Sequence, residues 1–310
     1  MVLVINLNAS IDKRYRMADF RKGEVMRVRE VDNTPGGKGI HVANVLGILG
    51  EDCLATGFLG GRSGEFIKDR LQEYGIRHDF VDIQGETRSC IAVVDDEGCQ
   101  TELLEPGPLV SNDEQERFLG KYAELLAAAQ VVVASGSLPG GVDKGFYGRL
   151  VSLARRSGDK PVLLDTSGEA LLQGIEEKPY FIKPNQDELA ALLGHDVQSE
   201  GEIADAVRGF LAKGIALVAV SMGADGCMAG YDGRICKVSV PKIKCKNPVG
   251  SGDSFVAGIA AGMMRGMGIE DTLKLAAACG TANALEDESG FVRRENVEKL
   301  FGQIEVEWAL

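Results

Sequence analysis

Short apolar runs bounded by Gly, Asp and Ser alternate along the chain with stretches whose apolar residues recur at helical spacing. Residues 2–7, 53–59, 131–134, 162–164, 181–182 and 217–220 read as buried strands. Between them the period predicts helices over 39–49, 63–74, 113–129, 144–156, 188–193, 202–213 and 253–265. This alternation predicts an α/β fold, a mainly parallel sheet covered by helices on both faces. Sheets of that kind bind ligands at the carboxyl ends of their strands.

Two stretches, within residues 13–34 and 84–107, break the rhythm with strand-like alternation and no helix. Thr87-Arg-Ser-Cys-Ile-Ala-Val-Val, the turn Asp95-Asp-Glu-Gly, and Gln100-Thr-Glu-Leu-Leu predict a hairpin. Strands from separate places can pair into a small second sheet. Its only supports would be the active face of the main domain or a partner subunit, so a lid is expected; plain edge strands are the alternative.

Composition narrows the class. The 310 residues are 45% hydrophobic, enough for a sizeable core, and show no long polar tract or internal repeat. A formal charge of −12 argues against nucleic-acid binding, which wants a basic excess. The apolar start, Met-Val-Leu-Val-Ile, has no basic flank or small-residue cleavage site and reads as a first strand. No run approaches the roughly 18 apolar residues that cross a bilayer. The seven cysteines are scattered, with no C-x-x-C pair and only three histidines beside them, as in a reduced cytoplasmic protein without a zinc site.

The strongest chemical signal is Asn247-Pro-Val-Gly-Ser-Gly-Asp-Ser-Phe-Val-Ala-Gly. Gly250, Ser251 and Gly252 form a tight turn just before a helix that begins near Asp253. Small residues at a helix N-terminus leave backbone N–H groups aimed at an anion. Asp253 would serve as an N-cap, or as a base beside a preformed anion hole for phosphoryl transfer. The first βα turn lacks G-x-G-x-x-G, and Gly37-Lys38 is followed by glycine, so dinucleotide-binding and P-loop readings fail.

A second cluster, Pro35-Gly-Gly-Lys-Gly-Ile-His-Val-Ala-Asn44, opens another helix with glycines around a lysine. Gly37 and Lys38 offer donors and a point charge to an anion. His41 lies one turn in, facing the same ligand or buried structurally. Asp12 follows the first strand and would bond sugar hydroxyls or only end the strand. Arg88 would grip a phosphate or sit as an edge charge. Asn185 and Glu188 fit a helix capping pair or an outer shell for hydrated magnesium. Ser221-Met-Gly-Ala-Asp-Gly226 is a glycine turn suited to a nucleotide, or an ordinary hairpin turn.

In this order the segments resemble the ribokinase-like (PfkB-type) carbohydrate kinases over essentially the whole chain. Gly36-Gly-Lys-Gly and Val249-Gly-Ser-Gly-Asp-Ser carry the resemblance together. It implies one kinase domain spanning 1–310, a three-layer α/β/α sandwich with a β-sheet lid. It implies Asp253 as base and Gly250, Ser251 and Gly252 as anion hole. Asn185 and Glu188 would serve magnesium, with Lys183, Asn185, Ser221, Gly223 and Gly226 at the ATP site. Asp12, Gly37, Lys38, His41 and Arg88 would face the sugar phosphate.

Within the family, Asn6-Leu-Asn-Ala-Ser-Ile-Asp12, Gln84-Gly-Glu-Thr-Arg88 and Ser135-Gly-Ser-Leu-Pro139 fit the branch of tagatose-6-phosphate kinase and 1-phosphofructokinase. Arg88-Ser-Cys-Ile-Ala-Val and Asn247-Pro-Val-Gly-Ser-Gly-Asp are closer to the tagatose enzyme. One departure stands out: the branch usually has Asn where this chain has His41. The expectation is ATP- and magnesium-dependent phosphorylation of a ketohexose monophosphate, tagatose 6-phosphate first and fructose 1-phosphate second. A kinase for unphosphorylated sugars and a non-catalytic sugar-phosphate sensor are the remaining readings. The exposed lid edge and the resemblance both point to a homodimer through the lid.

Overall fold

The computed structural model describes every residue except Gln198 and Leu310. Seven parallel strands form the body of the large sheet, in the spatial order Arg77–His78, Cys53–Gly60, Val2–Asn6, Val131–Ser135, Val162–Asp165, Phe181–Ile182 and Leu217–Ser221. Val81–Ile83 adds to the end of Cys53–Gly60. Cys227–Tyr231, Arg234–Ser239 and Glu305–Trp308 then continue the sheet antiparallel.

Alternate side chains of each central strand enter different cores, as the two-residue period of a strand requires. Val2, Val4, Val131, Val133, Leu163, Leu217 and Ala219 face the helices Lys38–Leu49, Ser251–Met264, Ile269–Asn283 and Arg294–Phe301. Leu3, Ile5, Val132, Ala134, Leu164, Val218 and Val220 face Asn112–Leu126, Phe146–Arg156, Gly168–Glu176 and Glu200–Ala212. Both faces are therefore buried, giving the three-layer α/β/α sandwich that the sequence resemblance implies. The strands read as unbroken apolar runs for the same reason.

The expected strands and helices all have counterparts within a few residues. Three helices, Gly168–Glu176, Ile269–Asn283 and Arg294–Phe301, and the antiparallel edge go beyond that expectation. Helix Ile269–Asn283 is buried on most sides, so it lacks an apolar stripe to mark it. It lies close against Ser251–Met264 because Gly258 and Gly262 leave room for Ala276 and Thr272.

A second sheet of four strands has the order Glu30–Gly36, Ser10–Arg16, Arg88–Val94 and Gln100–Leu104. The central pair is parallel and the outer pairs antiparallel. The last two strands form a hairpin whose turn is fastened by the Asp95 carboxylate, which accepts from the amides of Glu97 (3.0 Å) and Cys99 (2.8 Å). This sheet grows from the segment after Asn6, at the carboxyl end of the first strand, and so stands over the end of the sheet where ligands bind.

That strand end is tight. Gly57, paired with Asn6, has φ 148°, and a Cβ there would run into the Asn6 carbonyl oxygen. Neither partner can yield, since both are sheet backbone. Gly57→Ala is expected to cost about 1–3 kcal/mol, the range for overpacking. A urea midpoint equal to the parent's would show that the strand end relaxes freely.

Candidate active site

The carboxyl ends of the parallel strands, two glycine-rich helix starts and the small sheet enclose a cavity of about 1080 Å³. Asp12, Gly37, Lys38, His41, Arg88, Lys183, Asn185, Glu188, Ser221, Gly250, Gly252 and Asp253 all line it. Residues scattered from one end of the chain to the other thus meet in one place. Gly223 and Gly226 stand outside the lining. A Cβ on Gly226, at φ 82°, would run into the Val238 carbonyl, so this glycine is needed to bring its turn onto the next strand.

Gly250 caps helix Ser251–Met264 in the left-handed region (φ 86°), where glycine carries no Cβ penalty. The first-turn amides of Gly252 and Asp253 have no intrahelical acceptor by helix geometry. Ser251 is turned inward: its N–H donates to Pro248 O (3.2 Å) and its hydroxyl accepts from Asn283 Nδ2 (3.3 Å). Asn283, fully buried, also donates to Val249 O (2.8 Å) and accepts from the amide of Gly290 (2.8 Å). It holds the anion turn and the loop before Gly290 together, a role nothing local in the sequence signals.

Asp253 is 6% exposed, and its Oδ2 accepts from His41 Nδ1 at 2.8 Å. On the other side of the ring, His41 Nε2 lies 3.2 Å from Asp12 Oδ2. Burial works against a charge on His41, but the bonds to Asp12 and Asp253 outweigh it and raise the imidazole to about 10. Asp12 Oδ1 accepts from Ser10 Oγ at 2.7 Å. His41 therefore touches two carboxylates of the protein.

Lys38 begins helix Lys38–Leu49, capped by Gly37 at φ 99°. Its Nζ sits 3.4 Å from Asp165 Oδ1, and Lys183 Nζ sits 3.5 Å from the same oxygen. Burial opposes the charge on Lys38, yet Asp165, Asp253 and Glu188 together raise its affinity for the proton. Burial would lift the Asp165 carboxyl, but Lys183 and Lys38 hold it below the usual carboxylate range. A Cβ on Gly252 would lie 3.0 Å from Lys183 Nζ, so this ammonium rests over the anion turn. Asp165 ends a central strand, and sequence reasoning alone misses it.

Asn185 and Glu188 form a reciprocal capping box: Asn185 Oδ1 accepts from the Glu188 amide (2.7 Å), and Glu188 Oε2 accepts from the Asn185 amide (3.0 Å). Both still line the cavity, offering hard oxygen donors to a hydrated cation. Among the described residues, no group of three or more His, Cys, Asp and Glu forms a direct metal cluster. Arg88 donates from Nε (3.2 Å) and Nη2 (3.1 Å) to Asn8 O and from Nη1 (2.7 Å) to Glu105 O. Three of its five N–H groups are thereby spent on positioning, and two remain. Asn6 and Asn8 also line the cavity, and each keeps a buried Oδ1 without a partner among the described residues.

A carboxylate beside open helix amides, flanked by cations, is an arrangement for phosphoryl chemistry. The comparisons agree. Residues 5–293 match the family model described as pfkB family carbohydrate kinase. The chain is 41% identical to a tagatose-6-phosphate kinase of Staphylococcus epidermidis, over 99% of each chain. Phosphofructokinase-2 from Escherichia coli, solved with potassium, superposes with a TM-score of 0.92 at 26% identity, covering 97% of this chain and 98% of that one. The same enzyme in complex with fructose-6-phosphate gives a TM-score of 0.90 with the same coverage. With family model, relative and fold in accord, the chain belongs to the pfkB family of carbohydrate kinases and is a sugar kinase.

Proposed function

We propose that this kinase transfers the γ-phosphoryl group of ATP to a primary hydroxyl of a ketohexose monophosphate, tagatose 6-phosphate in preference to others. The observation that carries it is the buried Asp253 carboxylate at the open end of helix Ser251–Met264, in one cavity with Lys38 and Arg88. The likeness to the staphylococcal tagatose-6-phosphate kinase supports the choice of sugar.

Asp253 accepts the hydroxyl proton as the sugar oxygen attacks the γ-phosphorus. The amides of Gly252 and Asp253, with Lys183 above them, face the charge on the moving phosphoryl group. Arg88 and Lys38 hold the phosphate already on the sugar, and Asp12 receives its hydroxyls. The side of the cavity with Ser221 and Asn185 takes ATP. Mg²⁺, held through its waters by Asn185 and Glu188, would offset the charge of the ATP phosphates. The small sheet acts as a lid that excludes water and limits wasteful ATP hydrolysis. Two copies of this cytoplasmic kinase pair through the exposed edge of this sheet, where Val31 and Leu103 are exposed on one face. The tetrameric form solved for phosphofructokinase-2 shows that assembly occurs in that relative.

The test is kcat/KM with ATP and Mg²⁺ for tagatose 6-phosphate, fructose 1-phosphate, fructose 6-phosphate and free fructose. A preference of about tenfold or more for tagatose 6-phosphate is expected; tenfold corresponds to about 1.4 kcal/mol in the transition state. Preference for fructose 1-phosphate would replace the sugar and keep the chemistry. Turnover of free fructose alone would overturn the phosphate-holding roles of Arg88 and Lys38.

A further inference from the structure

We propose that His41 is a resident imidazolium that locks the base Asp253 and the sugar-facing Asp12 into one unit, a positioning residue that makes no contact with the substrate phosphate. The proposal rests on Asp253 as the base.

The geometry favours a charged ring. The two ring nitrogens lie 2.8 Å and 3.2 Å from oxygens of different carboxylates. A carboxylate oxygen only accepts, so both contacts are bonds only when both nitrogens carry hydrogen. A neutral ring would aim a lone pair at one of the two oxygens. Neither nitrogen is left to face a substrate phosphate.

The ring is also walled in. His41 is 6% exposed, and a Cβ on Gly290 would collide with its Cβ and Cγ. Gly290 is itself pinned by Asn283, which fastens the anion turn. The ring therefore has little room to swing away, and its two partners inherit that rigidity. Asp12 belongs to the small sheet and Asp253 to the body, so the bridge joins the two across the cavity. Asparagine, usual here in the branch that the sequence resembles, carries both donors on one nitrogen, whereas the imidazolium places its two on opposite sides of the ring.

The charged groups facing the ring are Asp12 from the small sheet, Asp253 from its helix and Glu288 from the loop before Gly290; Lys38, on the ring's own helix, faces Asp165, Asp253 and Glu188 instead. Burial raises the Glu288 carboxyl and His41 pulls it back. The carboxylates outweigh burial, and the raised value of about 10 keeps the ring cationic throughout the neutral range.

The experiment is ¹⁵N NMR of histidine-labelled full-length protein, followed from pH 6 to 11, beside the pH profile of kcat/KM. The chain has only three histidines, His41, His78 and His195, so H41N, or H41Q should H41N fail to fold, assigns the ring. Both His41 nitrogens should show imidazolium shifts at neutral pH and titrate near 10. In D253N that titration should move down by about 1 unit or more, because one acceptor has lost its charge. H41N should lower kcat/KM about tenfold, the loss of one charge-assisted bond, and should abolish the alkaline limb near pH 10. A neutral His41 ring at neutral pH, or an H41N enzyme with parental kcat/KM and pH profile, overturns the proposal. If D253N keeps full kcat while His41 is imidazolium, the base assignment fails and the bridge stands. If D253N is inactive while the parent's His41 ring is neutral, the bridge fails and the base assignment stands.

Discussion

Replacing Asp253 with asparagine should lower kcat about 10³-fold, within the 10²–10⁴ typical of general-base assistance, while KM for the sugar changes less than about threefold. The substitution removes a proton acceptor and the negative charge facing His41, and keeps the shape of the side chain. An asparagine Oδ1 can still accept from His41 Nδ1, which lies 2.8 Å from the present carboxylate oxygen, so the side chain has reason to stay in place. The first-turn amides and Lys183 are untouched, so the site for the transferred group persists. A factor of 10³ is about 4 kcal/mol of barrier, more than the loss of one neutral hydrogen bond would account for. The measurement is steady-state kcat and KM in the coupled assay, with circular dichroism to confirm the fold. A D253N enzyme within tenfold of parental kcat would remove Asp253 from the chemistry and leave it a structural partner of His41.

The site was legible in the sequence where its chemistry is local. Gly250, Gly252 and Asp253 are consecutive or nearly so, and a glycine turn entering a helix is a complete anion-binding device within four residues. Gly37 and Lys38 were legible for the same reason, as were Asn185 and Glu188 at capping spacing. The residues that escaped are those whose meaning lies in distant partners. Asp165 looks like the end of an apolar strand, and its partner Lys38 is 127 residues away. His41 was singled out as a residue facing the sugar phosphate, but its pairing with Asp253, 212 residues on, was not legible. Asn283 sits in a helix buried on most sides, where periodicity carries no signal. The fold followed the same division. Strands buried on both faces show as apolar runs, whereas the antiparallel edge from Cys227 to Trp308 depends on pairing that no single segment reveals. Arg88 was found by type, but the carbonyls of Asn8 and Glu105 that aim its fork were not.

Asp165→Asn should destabilise the protein by about 3–5 kcal/mol, the cost of leaving a buried charge without its partner. Asp165 is 1% exposed and Lys183 6%, so the remaining lysine charge would lose its ion-pair partner at a largely buried position. Lys38, whose side chain is 37% exposed, can turn toward solvent and contributes less to the loss. The folded carboxyl lies below its unfolded value, so its contribution is fully present above about pH 4 and is lost as pH falls through the lowered folded value. The gap between parent and variant, read from urea unfolding, should therefore be constant from about pH 5 to 8 and close in stronger acid. Removing both charges separates pairing from packing. Asp165→Asn with Lys183→Met leaves no unpaired charge between these two positions and should recover most of the lost stability. That double variant should still turn over slowly, because in the proposed reaction the ammonium above Gly252 has gone. A single variant as stable as the parent would mean that Lys183 is already solvated. A double variant no more stable than the single one would place the cost in packing around Asp165 and remove the charge argument altogether.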